Sequence, residues 1–230
     1  MAALLMVFTF FMFLMTDIII RRVQARRAIA TAGVATDTGT KIPFGISVED
    51  LVVPAGLFYH QGHTWAGLDT SGKIRVGLDD FSQKILGKID GIKLHKVGDK
   101  VSKGEKIFTI EQNGRKAEFN SPVDGVITSI NDDVVNNPVV VKENPYEKGW
   151  IYSIKPANLA NNIKSLSIAE DARNWIKNEV QRFEAFIAEH FMQDKVLGKT
   201  LADGGTVVEG VMEYMDDFSW YRMQEEFLSK

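Results

Sequence analysis

Val97-Gly98-Asp99-Lys100-Val101-Ser102-Lys103-Gly104, Ile107 to Gln112, Asn113-Gly114, Arg115 to Asn120 and Ser121-Pro122-Val123-Asp124-Gly125 form the stretch that decides the fold. Asn-Gly between two β-type runs is the strongest short hairpin signal, because both central residues of a type I′ turn need positive φ. The turn also fixes the register: Gln112 faces Arg115, Glu111 faces Lys116 and Ile110 faces Ala117. Glycine-marked turns flank this hairpin on both sides. Working outward, Lys73 to Gly77 and Gly125 to Ile130 are further short β-type runs, and Asp80 to Leu86 reads as a helical turn or two with Phe81 and Ile85 on one side. A compact, mostly antiparallel β domain is predicted over residues 57–160.

The N-terminal side has a different character. From Met1 to Met15 Thr9 alone is not apolar, and three isoleucines carry the run to Ile20 after Thr16 and Asp17. Twenty helical residues span roughly 30 Å, the thickness of a bilayer's hydrocarbon core. Arg21, Arg22, Arg26 and Arg27 follow, with no acid before Asp37. A secretory signal carries its basic residues ahead of the apolar run, and here the order is reversed. The sequence therefore predicts an uncleaved single-pass transmembrane helix at 1–20 in the inner (cytoplasmic) membrane, N-terminus outside and main domain cytoplasmic. A basic juxtamembrane segment and linker at 21–56, with a little local structure, joins it to the β domain.

Residues 161–230 are expected to form a helical extension. Ser167-Ile168-Ala169-Glu170 has the form of a capping box. Ile168, Ala172, Trp175, Ile176, Val180, Phe183, Ile187 and Phe191 then recur at three- and four-residue steps, a stripe that reads as core packing. After Gly204-Gly205, Thr206-Val207-Val208-Glu209 repeats the box, and Ser219 is placed as the cap of a last short helix bearing Trp220, Met223 and Phe227. From residue 201 onward seven acids stand against Arg222 and Lys230, which reads first as a solvated polar face.

Composition narrows the function classes. The 230 residues are 45% hydrophobic and 25% charged, a globular balance, and the net charge of −3 gives no general reason to bind nucleic acid. Absence of cysteine excludes disulfides, thiolate metal sites and cysteine nucleophiles. His60 and His63 are three apart, and a strand points them to opposite faces, so no metal site is expected. His95 and His190 are isolated. Asp79-Asp80, Asp132-Asp133 and Asp216-Asp217 read as helix caps or solvated pairs rather than catalytic dyads. No phosphate loop or dinucleotide fingerprint occurs. No catalytic, cofactor-binding or metal residue, and no small-molecule substrate, is predicted.

Several pieces, in order, carry a family resemblance: Tyr59 with His63-Thr64-Trp65, Val76 to Phe81, Leu86-Gly87, Val97-Gly98-Asp99, Lys103-Gly104-Glu105, Glu111, Ser121 to Gly125, Asn144-Pro145-Tyr146 with Gly149-Trp150, and Ile154-Lys155-Pro156. Together they resemble the H protein of the glycine cleavage system, a relative of biotinyl and lipoyl domains. The resemblance implies an α+β molecule: a flattened β barrel or sandwich with small helices and a C-terminal helix. It also implies a lysine at the hairpin tip that carries lipoate between enzymes. Seven positions before Ser121, where that lysine belongs, stands Gly114. Glycine has no amine to acylate. Lys116 lies two residues past the turn, facing Glu111, where a cross-strand charge pair accounts for it. The leading expectation is thus a non-catalytic, membrane-anchored, non-lipoylated scaffold that docks protein partners as an accessory subunit of a membrane complex, respiratory or redox in kind. The alternative is a membrane-tethered lipoyl carrier of glycine cleavage or lipoate metabolism modified at Lys116. A hydrolase or metalloenzyme is a third class for which no constellation exists.

Overall fold

Alternating burial along short strands builds two sheets that share one core. The computed structural model describes residues 45–46, 48–191 and 207–230. In chain order the strands are β1 (Gly45–Ile46), β2 (Phe58–Tyr59), β3 (Thr64–Leu68), β4 (Ile74–Leu78), β5 (Gly91–Leu94), β6 (Lys100–Val101), β7 (Lys106–Gln112), β8 (Arg115–Asn120), β9 (Gly125–Ile130), β10 (Trp150–Pro156), β11 (Ser167–Ile168) and β12 (Val207–Val208). The larger sheet runs β11-β2-β3-β4-β10-β9-β6, a second runs β5-β7-β8, and β1 pairs with β12. Ile74, Val76 and Leu78 of the first sheet and Ile107, Ile110 and Phe119 of the second belong to one buried cluster. The result is the β sandwich with a C-terminal helix that the resemblance implies. At about 1.5–3 kcal/mol per fully buried large apolar side chain, this shared cluster is what holds the sheets face to face.

The helices are α1 (Asp80–Leu86), α2 (Asp132–Asn136), α3 (Val139–Glu143), α4 (Leu159–Asn162), α5 (Ala169–Phe191) and α6 (Asp217–Met223). Helix α1 falls where Phe81 and Ile85 place it, and both are buried. Asp79 caps it, accepting a hydrogen bond from the Ser82 amide at 2.8 Å. The other acidic pairs sit at helix starts too: Asp132 and Asp133 occupy the first turn of α2, and Asp216 caps α6. Along α5, Ala172, Ile176, Val180, Phe183 and Ile187 are buried as their spacing requires.

Several local expectations need correction. Ser167 and Ile168 do not open a helix; they pair as an edge strand with Tyr59 and Phe58, and Ala169 at φ 52° turns the chain into α5. Ile168 is consequently exposed rather than part of the buried stripe. Val207 and Val208 pair with Ile46 and Gly45 instead of forming a helical first turn, and Gly210 at φ 73° leads into a 3-10 turn at Val211–Tyr214. Ser219 lies inside α6, whose cap is Asp216. The local structure within the linker is β1, with Ile46 buried, and a 3-10 turn at Val48–Asp50.

The apolar segment at 1–20, the arginines at 21–27 and Thr206 lie outside the described residues, as do the side chains of His190 and Phe191. Among the described residues no helix is long and apolar enough to cross a membrane.

Candidate functional site

The β7–β8 hairpin has the register its sequence dictates: Gln112 opposite Arg115, Glu111 opposite Lys116 and Ile110 opposite Ala117. Asn113 and Gly114 take φ values of 48° and 80°, the left-handed pair that a two-residue turn demands. The Asn113 amide donates to the Asp90 carboxylate at 2.6 Å, which anchors the tip to the loop before β5. Gly114 is exposed, and a β-carbon built there meets nothing within 4 Å. Only its backbone angle restricts what this position carries.

Lys116 is exposed and opposite Glu111, but the ion pair of Glu111 runs to Lys93 of β5 at 2.6 Å. The expected Glu111–Lys116 charge pair is therefore replaced by one across the other edge of β7. Exposed pairs of this kind contribute at most about 1 kcal/mol, so neither arrangement anchors the hairpin.

What surrounds the base of the tip was not legible. Gln112 is buried; its side-chain amide donates to the carbonyls of Leu86 and, at 2.9 Å, Lys88, and its carbonyl accepts from the Trp220 indole at 2.9 Å. Arg115 pairs with Asp217 at 3.0 Å and donates to the Met212 carbonyl at 3.4 Å. The C-terminal segment thus grips the hairpin on both strands. Asp216, Asp217, Glu225 and Glu226 are exposed as a solvated face requires, and several of the tail's acids also find partners: Glu213 accepts from the Lys88 amide at 2.6 Å, Glu209 pairs with Lys142 at 3.0 Å and Glu226 with Arg182 at 2.7 Å.

A second cluster sits inside the domain. His63, at φ 60° in the tight turn before β3, is fully buried between Phe81 and Trp175, with ring centroids at 4.6 and 4.9 Å. Its Nδ1 lies 2.7 Å from an Asp79 oxygen, and its Nε2 lies 3.6 Å from a Glu179 oxygen. Burial alone would push its pKa down; the Asp79 and Glu179 carboxylates outweigh that and raise it to about 9. Glu179 also pairs with Arg182, and despite burial its pKa is held below the usual value by His63 and Arg182. The sequence marked His63 only as one piece of the family resemblance and gave no sign of these two carboxylates. His60 is a separate case, lowered to about 4 by burial and by the Lys103 charge. Among the described residues no group of three or more histidine, aspartate or glutamate side chains is placed to hold a metal.

A groove of about 720 Å³ between the 52–57 segment, α1 and the 142–147 loop includes Leu57, Asp80, Lys84 and Tyr146 in its walls. Lys84 is paired to Asp80 at 3.1 Å, and the Tyr146 hydroxyl donates to the Val52 carbonyl at 2.7 Å. No nucleophile and base face each other here.

The sequence profile described as Glycine cleavage H-protein matches residues 57–179, just over half of the chain. The chain belongs to the glycine cleavage H-protein family. A protein of Pyrococcus horikoshii named "Probable glycine cleavage system H protein" is 35% identical over 132 residues, which cover 57% of this chain and 98% of that one. The glycine cleavage system H protein of Halalkalibacterium halodurans is 32% identical over 127 residues, 55% of this chain and 98% of its own. A crystal structure of an H protein from Mycobacterium marinum is similar at 25% identity and a TM-score of 0.46, covering 55% of this chain and 98% of its own. H-protein family members are non-catalytic, and this chain is not an enzyme.

One test of the site follows directly. Gly87 ends α1 at φ 78°, and a β-carbon there would run into the Glu213 carboxylate and meet the Gly210 Cα at 2.6 Å. Gly87→Ala is expected to loosen the C-terminal segment, read as faster amide exchange over residues 210–228 while β4 and β9 stay protected.

Proposed function

We propose that this H-protein family member is a non-lipoylated, membrane-anchored scaffold: an interaction subunit of a larger membrane complex, respiratory or redox in setting. The observation that carries this reading is Gly114 at the exposed hairpin tip, where the family resemblance calls for an amine. Lipoate attaches through an amide to a lysine ε-amino group, and a backbone position without a side chain offers nothing to acylate. The apolar run at 1–20 followed by four arginines supports anchoring, with the β domain on the cytoplasmic side. A carrier domain that keeps its fold and lacks its attachment residue retains one use, contact with other proteins.

The modification arm of this proposal has a gain-of-function control. Co-expressed with a lipoate-attaching enzyme, the parent chain is expected to keep its unmodified mass, and Gly114→Lys to acquire lipoate. The strain of a side chain at φ 80° is about 1–2 kcal/mol, and the open space around the position accommodates it. An adduct on Lys116 of the parent chain would instead establish the tethered carrier. For the partner arm, purification from native membranes in mild detergent is expected to bring integral membrane subunits with the chain, and migration alone would count against the scaffold.

A further inference from the structure

The family profile ends at residue 179, and relatives such as the Halalkalibacterium protein have 98% of their own length matched by about 127 residues of this chain. Their length leaves no counterpart for residues 207–230. That segment is nevertheless deeply seated: Val211, Met212, Trp220, Met223, Phe227 and Leu228 are all fully buried. Its polar contacts are made by family-domain groups, whereas its far end rests on α5 residues past the end of the profile. The Gly210 amide donates to the Lys84 carbonyl at 2.6 Å, the Trp220 indole reaches Gln112, and the Asn120 side chain donates to the Lys230 carbonyl at 2.9 Å. Phe227 closes the far end, packed edge-on against Phe183 and Phe186 of α5 at 5.5 Å, with the Arg182 guanidinium 4.2 Å above its ring.

These side chains join the buried cluster of the sandwich itself, along a face for which the relatives' lengths supply no covering segment. We propose that the face formed by the end of α1, the β7–β8 hairpin and α5 is a recognition groove for an amphipathic helical peptide with aromatic and methionine anchors, and that residues 207–230 occupy it in cis. The contacts have the anatomy of such a site. Large apolar anchors are fully desolvated, with one satisfied indole among them, and charged pairs (Arg115–Asp217, Lys142–Glu209) lie at the margin. Gly87 and Gly210 provide the closest backbone approach, where any side chain would hold the segment off. The tether makes the bound segment a competitor at high effective concentration, so a partner of the same chemistry enters only as the tail leaves. This goes beyond the scaffold reading and holds whether or not any lysine is lipoylated.

The test uses the full chain in detergent with a protease site introduced between Gly204 and Gly205. After cutting, a fluorescent synthetic peptide of residues 207–230 is titrated against cut and uncut protein. The expected result is saturable binding to the cut chain at least about 100-fold tighter than to the uncut chain, with a Trp220→Ala peptide binding at least about tenfold more weakly. The circular dichroism of the β domain should not change on cutting. Unfolding after the cut, no uptake of peptide, or equal uptake by the uncut chain would overturn the proposal. Hydrogen exchange on the uncut parent gives an independent reading: amides of 211–228 are expected to open separately from those of β4 and β9, and one shared opening would also overturn it.

Discussion

Replacing His63 with glutamine is expected to lower stability at neutral pH by about 3–5 kcal/mol, because it leaves the buried Asp79 carboxylate facing a neutral group and Glu179 with Arg182 as its cationic partner. The same residue sets a pH profile. Its folded pKa of about 9 lies above the ordinary 6.5, so the stabilisation from its charge is fully present below about 6.5 and declines as pH rises through about 9. Glu179 acts with the opposite sign. Its folded pKa is depressed, so its contribution is present above the ordinary carboxylate value of 4.5 and is lost as the solution becomes more acidic. The parent chain should therefore show a broad maximum between about pH 5 and 8, and His63→Gln should lose the decline near pH 9. Denaturant midpoints measured across pH 4 to 10 check this; an unchanged alkaline decline in the variant would assign it to another group.

Phe227→Ala is expected to have a comparable effect with a different address. The ring contacts Phe81 of the β domain and Phe183 and Phe186 of α5, and it carries the Arg182 guanidinium on its face. Truncating a fully buried phenylalanine costs about 3–5 kcal/mol. That loss should fall on the docking of residues 210–228, raising their amide opening by roughly 10²- to 10⁴-fold while the sandwich keeps its own transition. A uniform loss of protection through β3, β4 and β10 would mean that the segment and the sandwich form one cooperative unit.

The hairpin register was legible because Asn113-Gly114 admits few turn geometries, and the turn fixes every pair behind it. Helix α1 was legible for a similar reason, since Phe81 and Ile85 bury the same face over a short span. Legibility ended where a third element intervened. The pair expected between Glu111 and Lys116 depends on two strands, but β5 brings Lys93 closer, and a hairpin read alone contains no β5. Ser167 and Glu170 have capping-box spacing, yet the backbone of Ser167 and Ile168 is engaged by β2, more than a hundred residues earlier. The exposure of the acidic tail was legible, and Asp216, Asp217, Glu225 and Glu226 keep it, but charge counts carry no information about ion-pair partners. Arg115, Lys142 and Arg182, scattered across three elements, are what Asp217, Glu209 and Glu226 meet. His63 was quoted only with Thr64 and Trp65 in the family resemblance, and Glu179 lies 116 positions away with no periodicity to join them.

These particulars bear on the candidate site unevenly. The missing amine at the tip is a property of one residue and is visible in the sequence. The groove filled by Trp220 and Phe227 is a property of tertiary packing and is visible only in the fold. The first leaves the hairpin tip without a side chain to acylate, and the second seats the C-terminal segment on the β domain.

Intact-mass analysis of the natively produced chain tests the central claim most directly. The account predicts the mass of the polypeptide with no lipoyl addition on any lysine. A lipoyl adduct, at Lys116 or at any other lysine, would contradict it.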